Sequence, residues 1–214
     1  MSTSEYLVPC EDAQSEFVEK RSRFIGHIFR VEDEGQARAC IEQVKKKHYD
    51  ARHNCWCYLL REGGVVRYSD DGEPQGTAGQ PMLEVFRREG VLNVCCVVTR
   101  YFGGILLGAG GLTRAYAKSA KDALDAAGVS RMRPWTLLRV PCTYPLFERL
   151  KLLLAAQGAL IEDTEYGEGI TVRAAIPKEN TASFHAQFTE LSLGALQAEE
   201  RGEVFRPGAR ESAK

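Results

Sequence analysis

The chain has 214 residues and a formal net charge of −1, with 28 Lys plus Arg against 29 Asp plus Glu. Hydrophobic residues make up 44% and charged residues 27%, a composition that can bury a core and excludes wholesale disorder. The balanced charge argues against bulk electrostatic binding of nucleic acid, which usually requires a basic domain. No run approaches the ~20 apolar residues of a membrane helix, and the first residues do not read as a signal peptide. We therefore expect a cytoplasmic protein with no membrane partner.

The first half of the chain mixes strand and helix patterns, which predicts an α/β domain. Asp33 is suited to cap the helix that follows it, because its carboxylate can accept a bond from a free backbone N–H. An apolar run bounded by Gly90 and Gly103 is typical of a buried strand. The predicted elements are two strand-like runs within 15–31, a helix over 33–48, a strand over 53–60, a loop over 69–79, a short helix over 80–89, a strand over 91–101 and a long helix over 110–127.

The chain is predicted to break near residues 131–134. Pro134 disfavours a helical conformation at the residue before it, and Gly128 is suited to end a helix. Beyond the break the order of elements is β-α-β-β-α-β, which is the ferredoxin-like arrangement. Its elements are a strand over 135–142, a helix over 146–157, strands over 159–165 and 170–176, a helix over 179–193 and a strand over 195–204. We therefore predict an α+β protein of two domains, 1–131 and 132–214.

The loop over 69–79 is dense in carboxylates and glycines. Carboxylates this close repel one another unless a cation, a basic side chain or backbone N–H groups hold them. A rigid turn that needs these residues for its backbone geometry and a loop that carries function are both consistent with the pattern. The candidate residues of this loop are Asp70, Asp71, Glu73, Gly76, Thr77 and Gly79.

A glycine-rich turn over 103–111 joins the predicted buried strand to the long helix. Free N–H groups and the helix dipole suit that helix start to an anion, whereas tight helix–strand packing would also require glycine. Neither the P-loop motif nor the dinucleotide-binding fingerprint is present, which disfavours a standard nucleotide enzyme. The candidate residues here are Gly103, Gly104, Gly108, Gly110 and Gly111.

Basic side chains surround this turn. Residues 98–133 hold six basic side chains against two acidic ones, a local charge of +4 within a nearly neutral chain. Arg100 ends the predicted strand, and Arg114 and Lys118 share one side of the helix. A local anion-binding surface and a solvated helix flank are both consistent with these residues.

His53, Cys55 and Cys57 alternate along a predicted strand and would therefore share a face. A zinc site would need a fourth ligand at a suitable spacing, and none is evident. The chain's seven cysteines contain no C-x-x-C pair, which favours reduced thiols packed as small apolar residues. We expect no metal and no cofactor, and we retain His53 as a candidate binding residue.

Four segments resemble the YigZ/IMPACT family, namely KRSRFI at 20–25, DARHNCW at 50–56, SDDGEPQGTAG at 69–79 and RYFGGILLGAGGL at 100–112. The resemblance implies that the first domain is an α/β sandwich with the fold of the second domain of a small-subunit ribosomal protein. It also implies that the C-terminal half is similar to domains of elongation factor G. Several relatives bind RNA, others hold phosphates at a glycine-rich helix start, and eukaryotic members are linked to translational control.

Two functions remain open at this point. The first is a non-catalytic binding module in translation regulation, which contacts RNA, the ribosome or a translation factor. The second is an enzyme acting on a small phosphorylated or anionic substrate, with Asp71 or Glu73 as general base. The absent nucleotide motif favours the binding module, and in either case we expect the loop over 69–79 and the turn over 103–111 to adjoin.

Overall fold

The computed structural model describes residues 5–211, which form a mixed α+β protein with two β-sheets. The chain divides into two compact units, one of Tyr6–Arg131 with residues 207–211 and the other of Met132–Arg206 with Glu5. Within residues 5–211, no helix combines the length and the apolar character needed to cross a lipid bilayer.

Strands and helices follow one another along both units. In chain order they are β1 (Tyr6–Pro9), β2 (Ala13–Glu19), β3 (Ser22–Arg30), α1 (Glu34–Lys47), β4 (His53–Leu59), β5 (Val66–Ser69), α2 (Gly79–Glu89), β6 (Val94–Tyr101), α3 (Ala109–Ala127), β7 (Val129–Cys142), α4 (Phe147–Ala156), β8 (Leu160–Tyr166), β9 (Ile170–Pro177), α5 (Thr181–Leu191) and β10 (Glu199–Arg210).

The sheet of the first unit has the strand order β2-β3-β6-β4-β5, and its neighbouring strands are antiparallel. The central strand β6 is buried on both faces, as its apolar run predicted. Cys95 and Val97 pack in the cluster that contains residues of α1, whereas Cys96 and Val98 pack in the cluster that contains residues of α2 and α3. Helices therefore cover both faces of this sheet.

Strand pairing places two of the candidate residues side by side. His53, the first residue of β4, lies opposite Arg100 near the end of β6. Side chains alternate along a strand, so Arg100 shares the α2 and α3 face with Cys96 and Val98. That face is also the one toward which the loop before α2 and the turn before α3 are directed.

The second unit has the predicted element order, β7-α4-β8-β9-α5-β10. Strand β9 lies between β7 and β8, and β10 also pairs with β7. Leu150 and Leu154 of α4 and Phe184 and Phe188 of α5 pack in one cluster with the inward side chains of β7 and β9. Burial of these apolar side chains holds the two helices on the sheet.

The helices of the first unit match their predicted positions within about one residue. Asp33 caps α1 as expected, with its Oδ1 accepting the N–H of Gln36 at 2.8 Å. Gly128 ends α3 with a φ of 67°, also as expected. The three helices of the first unit could therefore be predicted from the sequence.

Two boundary predictions were wrong. The strand expected to begin at residue 135 begins instead at Val129, so β7 runs through Pro134, while the two units divide between Arg131 and Met132. Pairing with β9 begins at Trp135, so the missing N–H of Pro134 leaves no bond to β9 unmade.

The last strand was also misplaced, since β10 begins at Glu199 and continues to Arg210 instead of occupying 195–204. The turn after α5 occupies the start of the expected strand. Gly194 has a φ of 76° and its N–H donates to Thr189 O, while Ala195 N–H donates to Ser192 O. Two four-residue strands, β1 and β5, were not predicted at all.

Candidate functional site

The loop over 69–79 and the turn over 103–111 line one pocket of about 350 Å³ in the first unit. The loop contributes residues 72–74, the turn contributes 106–109, and His53, Arg52 and Arg100 add further polar side chains to the wall. We call this pocket the loop–turn cleft. Its volume lies within the range of ~300–1,000 Å³ that is usual for small-molecule sites.

A buried ion pair lies in the wall of the cleft. Glu73 Oε1 accepts hydrogen bonds from Arg100 Nη1 at 2.6 Å and from Tyr116 Oη at 2.8 Å. Arg100 Nη2 donates to Ser22 Oγ at 3.2 Å. Burial raises the pKa of Tyr116 well above its ordinary value, so the hydroxyl keeps its proton and remains a donor. The carboxylate is thus neutralised and hydrogen-bonded, as a buried charge requires.

Unlike Nη1 and Nη2, the Nε atom of Arg100 donates no hydrogen bond within residues 5–211. It is also buried. An unpaired buried donor is costly, so an acceptor supplied by a ligand would remove this cost. Because Nε is buried, a ligand in the cleft reaches it only if the Arg100 side chain moves.

His53 is held in one orientation by the loop. Its Nδ1 lies 2.9 Å from the backbone oxygen of Asp71, and because a carbonyl oxygen only accepts, Nδ1 carries the proton in neutral His53. Nε2 then presents its lone pair. It lies 3.9 Å from Glu73 Oε1, beyond hydrogen-bond distance. A group that donates a proton can therefore approach Nε2.

The other two loop carboxylates have structural partners. Asp70 Oδ1 accepts the N–H groups of Ala78 and Gly79 at 3.0 and 2.8 Å, and its Oδ2 accepts that of Gly76 at 2.8 Å. Asp70 thereby satisfies free N–H groups at the start of α2, the role of a helix cap. Thr77 Oγ1 donates to Pro74 O at 2.6 Å. This part of the loop is a rigid turn.

Asp71 connects the loop to two other elements. Its Oδ2 accepts the N–H of Asn54 at 2.7 Å, and its Oδ1 accepts from Lys45 Nζ at 3.2 Å. Asp71 also has a φ of 43°, which is strained for a residue other than glycine. The three clustered carboxylates therefore avoid mutual repulsion because each has its own donors.

The start of α3 borders the cleft. Gly108 is its N-cap with a φ of 72°, and no side chain of the cap accepts a bond from the helix. The first helical bond runs from Leu112 N to Gly108 O, so the N–H groups before Leu112 have no acceptor of this kind. Gly108 and Ala109 both line the cleft. The glycine turn thus brings free backbone donors to the same pocket as Arg100.

Other glycines in these motifs are required by close packing or by the backbone conformation. A Cβ on Gly103 would lie 2.0 Å from the backbone carbon of Arg21, and one on Gly79 would lie 2.9 Å from the Tyr68 ring. Gly104 has a positive φ of 82° that favours glycine. Gly103 and Gly79 are therefore explained by close packing, and Gly104 by its backbone conformation.

Two of the candidate basic residues lie in a separate groove beside the cleft. This groove, of about 160 Å³, is lined by Lys20, Arg114 and Lys118 together with Glu19, and Leu107 borders both it and the cleft. We call it the basic groove. Arg114 has no acidic partner within residues 5–211, whereas Lys118 pairs with Asp122.

The local charge of +4 is partly neutralised by ion pairs. Lys121 contacts Glu89 and Asp125, and Arg131 contacts Glu211. Glu89 and Glu211 lie outside residues 98–133. The charge counted over that window therefore overstates the free positive charge at this surface.

Several residues at the cleft were not among the predicted candidates. Arg52 and Phe102 line it, and Tyr116 donates to Glu73. Tyr116 lies on the buried face of α3 and was not a predicted candidate. The sequence signal for this contact was a tyrosine on an otherwise apolar face of a helix. A buried hydroxyl usually requires a hydrogen-bond partner.

Models of two known domain families match this chain. The model of the Impact N-terminal domain matches residues 20–124, and one described as a "Domain of unknown function (DUF1949)" matches residues 140–195. The first unit is thus of the Impact N-terminal type, with the cleft inside the matched region.

Similarity also extends along most of the chain. It is 37% identical over 196 residues to IMPACT family member YvyE of Bacillus subtilis, covering 91% of this chain and 90% of that protein. It is 36% identical over 181 residues to IMPACT family member YigZ of Escherichia coli, covering 83% and 89%. A crystal structure of a hypothetical protein shares 34% identity and a TM-score of 0.58, covering 91% and 96%. The chain therefore belongs to the YigZ/IMPACT family, as its motifs predicted.

Proposed function

We propose that the chain is a cytoplasmic, non-catalytic binding module of translation regulation that holds a phosphate group of RNA in the loop–turn cleft. The observation that supports this most directly is that the free N–H groups at the start of α3 border the pocket that Arg100 also lines. Backbone N–H groups at a helix start together with a guanidinium are a standard phosphate-binding set.

The surroundings of the cleft favour a polymeric ligand. The basic groove shares Leu107 with the cleft, so a phosphodiester chain leaving the cleft could continue past Arg114 and Lys20. Phosphate contacts of this kind position nucleic acid without reading its sequence. RNA within a ribosome would present the same backbone, while a translation factor is the competing partner.

The fold is consistent with this assignment. The element order β7-α4-β8-β9-α5-β10, with β7 paired to both β9 and β10, supports a ferredoxin-like arrangement for the second unit. The family resemblance implies a ribosomal-protein-like first domain and a second domain similar to domains of elongation factor G. Fold alone does not define function, so the assignment depends on the cleft.

Two substitutions in α3 test the phosphate contacts. Gly110→Asp places a carboxylate in the first turn, where it suits the helix dipole but repels a phosphate. We expect RNA or ribosome binding in low salt to weaken about tenfold, equal to about 1.4 kcal/mol. Arg114→Ala should lower the slope of log affinity against log salt by about one.

Gly110→Ala and Lys121→Ala are the matched controls, because the first adds no charge and the second removes a cation that is already ion-paired. Both should bind as the parent chain does. Equal binding by the parent and both test variants would contradict the proposal.

The geometry of His53 favours a second candidate, an enzyme acting on a small phosphorylated or anionic substrate. Because Asp71 and Glu73 are occupied by other donors, the general base would be His53 Nε2, oriented by the bond from Nδ1 to Asp71 O. Thermal shift with nucleotides and sugar phosphates, with and without magnesium, separates the two functions. At one hundred times Kd a ligand stabilises the folded chain by about 2.7 kcal/mol. No shift with any of them would count against the enzyme.

A further inference from the structure

We propose a second binding site, on the opposite face of the same sheet, where Trp56, backed by Tyr58, stacks an unpaired nucleobase of single-stranded RNA. We call these two side chains the aromatic platform. The proposal takes its ligand class from the proposed function, but it depends on different residues and a different pocket.

The two rings stack on one another. Trp56 and Tyr58 are two residues apart on β4 and therefore face the same side of the sheet. Their rings are nearly parallel, with an interplanar angle of 8° and 5.6 Å between centroids. Tyr58 is buried and fixed by a 2.7 Å hydrogen bond from its Oη to Glu34 Oε2, whereas Trp56 is only partly buried. The platform is thus rigid and has one accessible end.

A pocket of about 350 Å³ opens over the platform. Helix α1 borders it through Ile41 and its neighbours on one side, and Arg67 of β5 borders it on the other. Residues of α1 share an apolar cluster with β4 and β6, while the sheet continues beyond them to the short edge strand β5. The edge of the sheet therefore leaves a recess in which part of the indole is exposed.

The residues that line this pocket include Arg38, Lys45 and Arg67 and one carboxylate, Glu42, and Lys45 is paired with Asp71 outside the lining. Arg67 donates to the backbone oxygen of Val66 and has no carboxylate partner within residues 5–211. Arg38 is largely exposed, and its closest carboxylate oxygen lies 3.7 Å away. Two of the three cations can therefore reach a ligand without breaking a close ion pair.

Aromatic rings flanked by cations are the combination that binds single-stranded nucleic acid. The base stacks on the ring while the cations contact the adjoining phosphates, and such stacking tolerates any base. An acidic peptide would satisfy the cations but would leave the flat indole surface without a planar partner. The charge and the ring geometry together therefore favour RNA.

Intrinsic fluorescence provides a direct test, because the chain has two tryptophans and the other, Trp135, is 1% exposed. The full chain is titrated with a short single-stranded oligoadenylate, with an abasic strand of equal charge and with an acidic peptide. We expect saturable quenching by oligoadenylate only. Quenching by the abasic strand or the peptide to the same extent, or no quenching by oligoadenylate, would overturn the proposal.

Substitutions identify the ring responsible. Trp56→Leu should abolish the quenching and weaken oligoadenylate binding by about five- to a hundredfold, the range for loss of one stacked base. Trp56→Phe should retain much of the affinity, which separates stacking from loss of folding. Tyr49→Leu, which removes an aromatic side chain that is 86% exposed, is the matched control and should bind normally.

The two proposals fail in different ways. If Gly110→Asp weakens RNA binding and the Trp56 variants do not, the platform is refuted and the cleft stands. If Trp56 is quenched by oligoadenylate and the cleft variants bind RNA as the parent does, the platform stands and the cleft is refuted.

Discussion

Arg100 and Glu73 form an ion pair that is almost completely removed from water, with 2.6 Å between Nη1 and Oε1 and side-chain exposures of 6% and 4%. The two residues come from different elements, β6 and the loop before α2. Their contact therefore fixes the position of the loop against the sheet and sets the shape of the loop–turn cleft.

Glu73→Gln should destabilise the chain by about 3–5 kcal/mol, because it leaves the Arg100 guanidinium buried without its counter-charge. The free energy of unfolding from urea denaturation measures this. Glu84→Gln is the control, since Glu84 pairs with Arg87 on an exposed helix surface and such pairs contribute at most about 1 kcal/mol.

The double variant Glu73→Leu with Arg100→Met tests the cause. Replacing both charges by apolar groups removes the unpaired charge, so we expect it to recover a large part of the stability lost in Glu73→Gln. A double variant less stable than Glu73→Gln would show that the pair's charge is not what the loop position depends on.

The elements that could be predicted are those whose pattern is local. Helix α1 was readable from its apolar period and from Asp33, and β6 from an uninterrupted apolar run. The motifs also identified the loop and the turn that meet at the cleft. These features depend on residues close together in the chain.

The partners within the cleft could not be predicted, because they depend on strand register and loop conformation. His53 faces Arg100 only because β4 and β6 pair in that register. Nothing in the sequence distinguishes the role of Asp70, which caps α2, from that of Glu73, which pairs with Arg100. Likewise, β1 and β5 have four residues each, too few for an alternating pattern to stand out.

His27 should make folding stability sensitive to mild acid. Burial lowers its pKa from 6.5 to about 4, assisted by the nearby His48 ring and Lys47. The unfolded chain therefore binds a proton at this site between these pH values and the folded chain does not. Stability should fall as the pH drops from about 6.5 to about 4, by roughly 3 kcal/mol in all.

Urea denaturation at neutral pH and near pH 4.5 measures this loss, and His27→Gln should reduce it. His48 contributes in the same direction, because burial also lowers its pKa. A pH dependence that is the same in the parent chain and in His27→Gln would exclude His27 as its source.

Gly103 and Gly110 lie in the same motif but should respond oppositely to alanine. A Cβ at Gly103 would meet the Arg21 backbone at 2.0 Å, so the turn or the β2–β3 hairpin must move. A Cβ at Gly110 would meet only the flexible end of Arg114 at 3.5 Å. Gly103→Ala should therefore destabilise by about 1–3 kcal/mol or more, as overpacking does.

Gly110→Ala should instead leave stability unchanged or raise it by up to about 1 kcal/mol, because alanine is the better helix former. Thermal unfolding of the two variants beside the parent chain distinguishes these outcomes. Since Gly110→Ala keeps every backbone N–H of the α3 start, it should also retain phosphate binding. Equal losses of stability in both variants would mean that glycine is needed throughout the turn for its backbone alone.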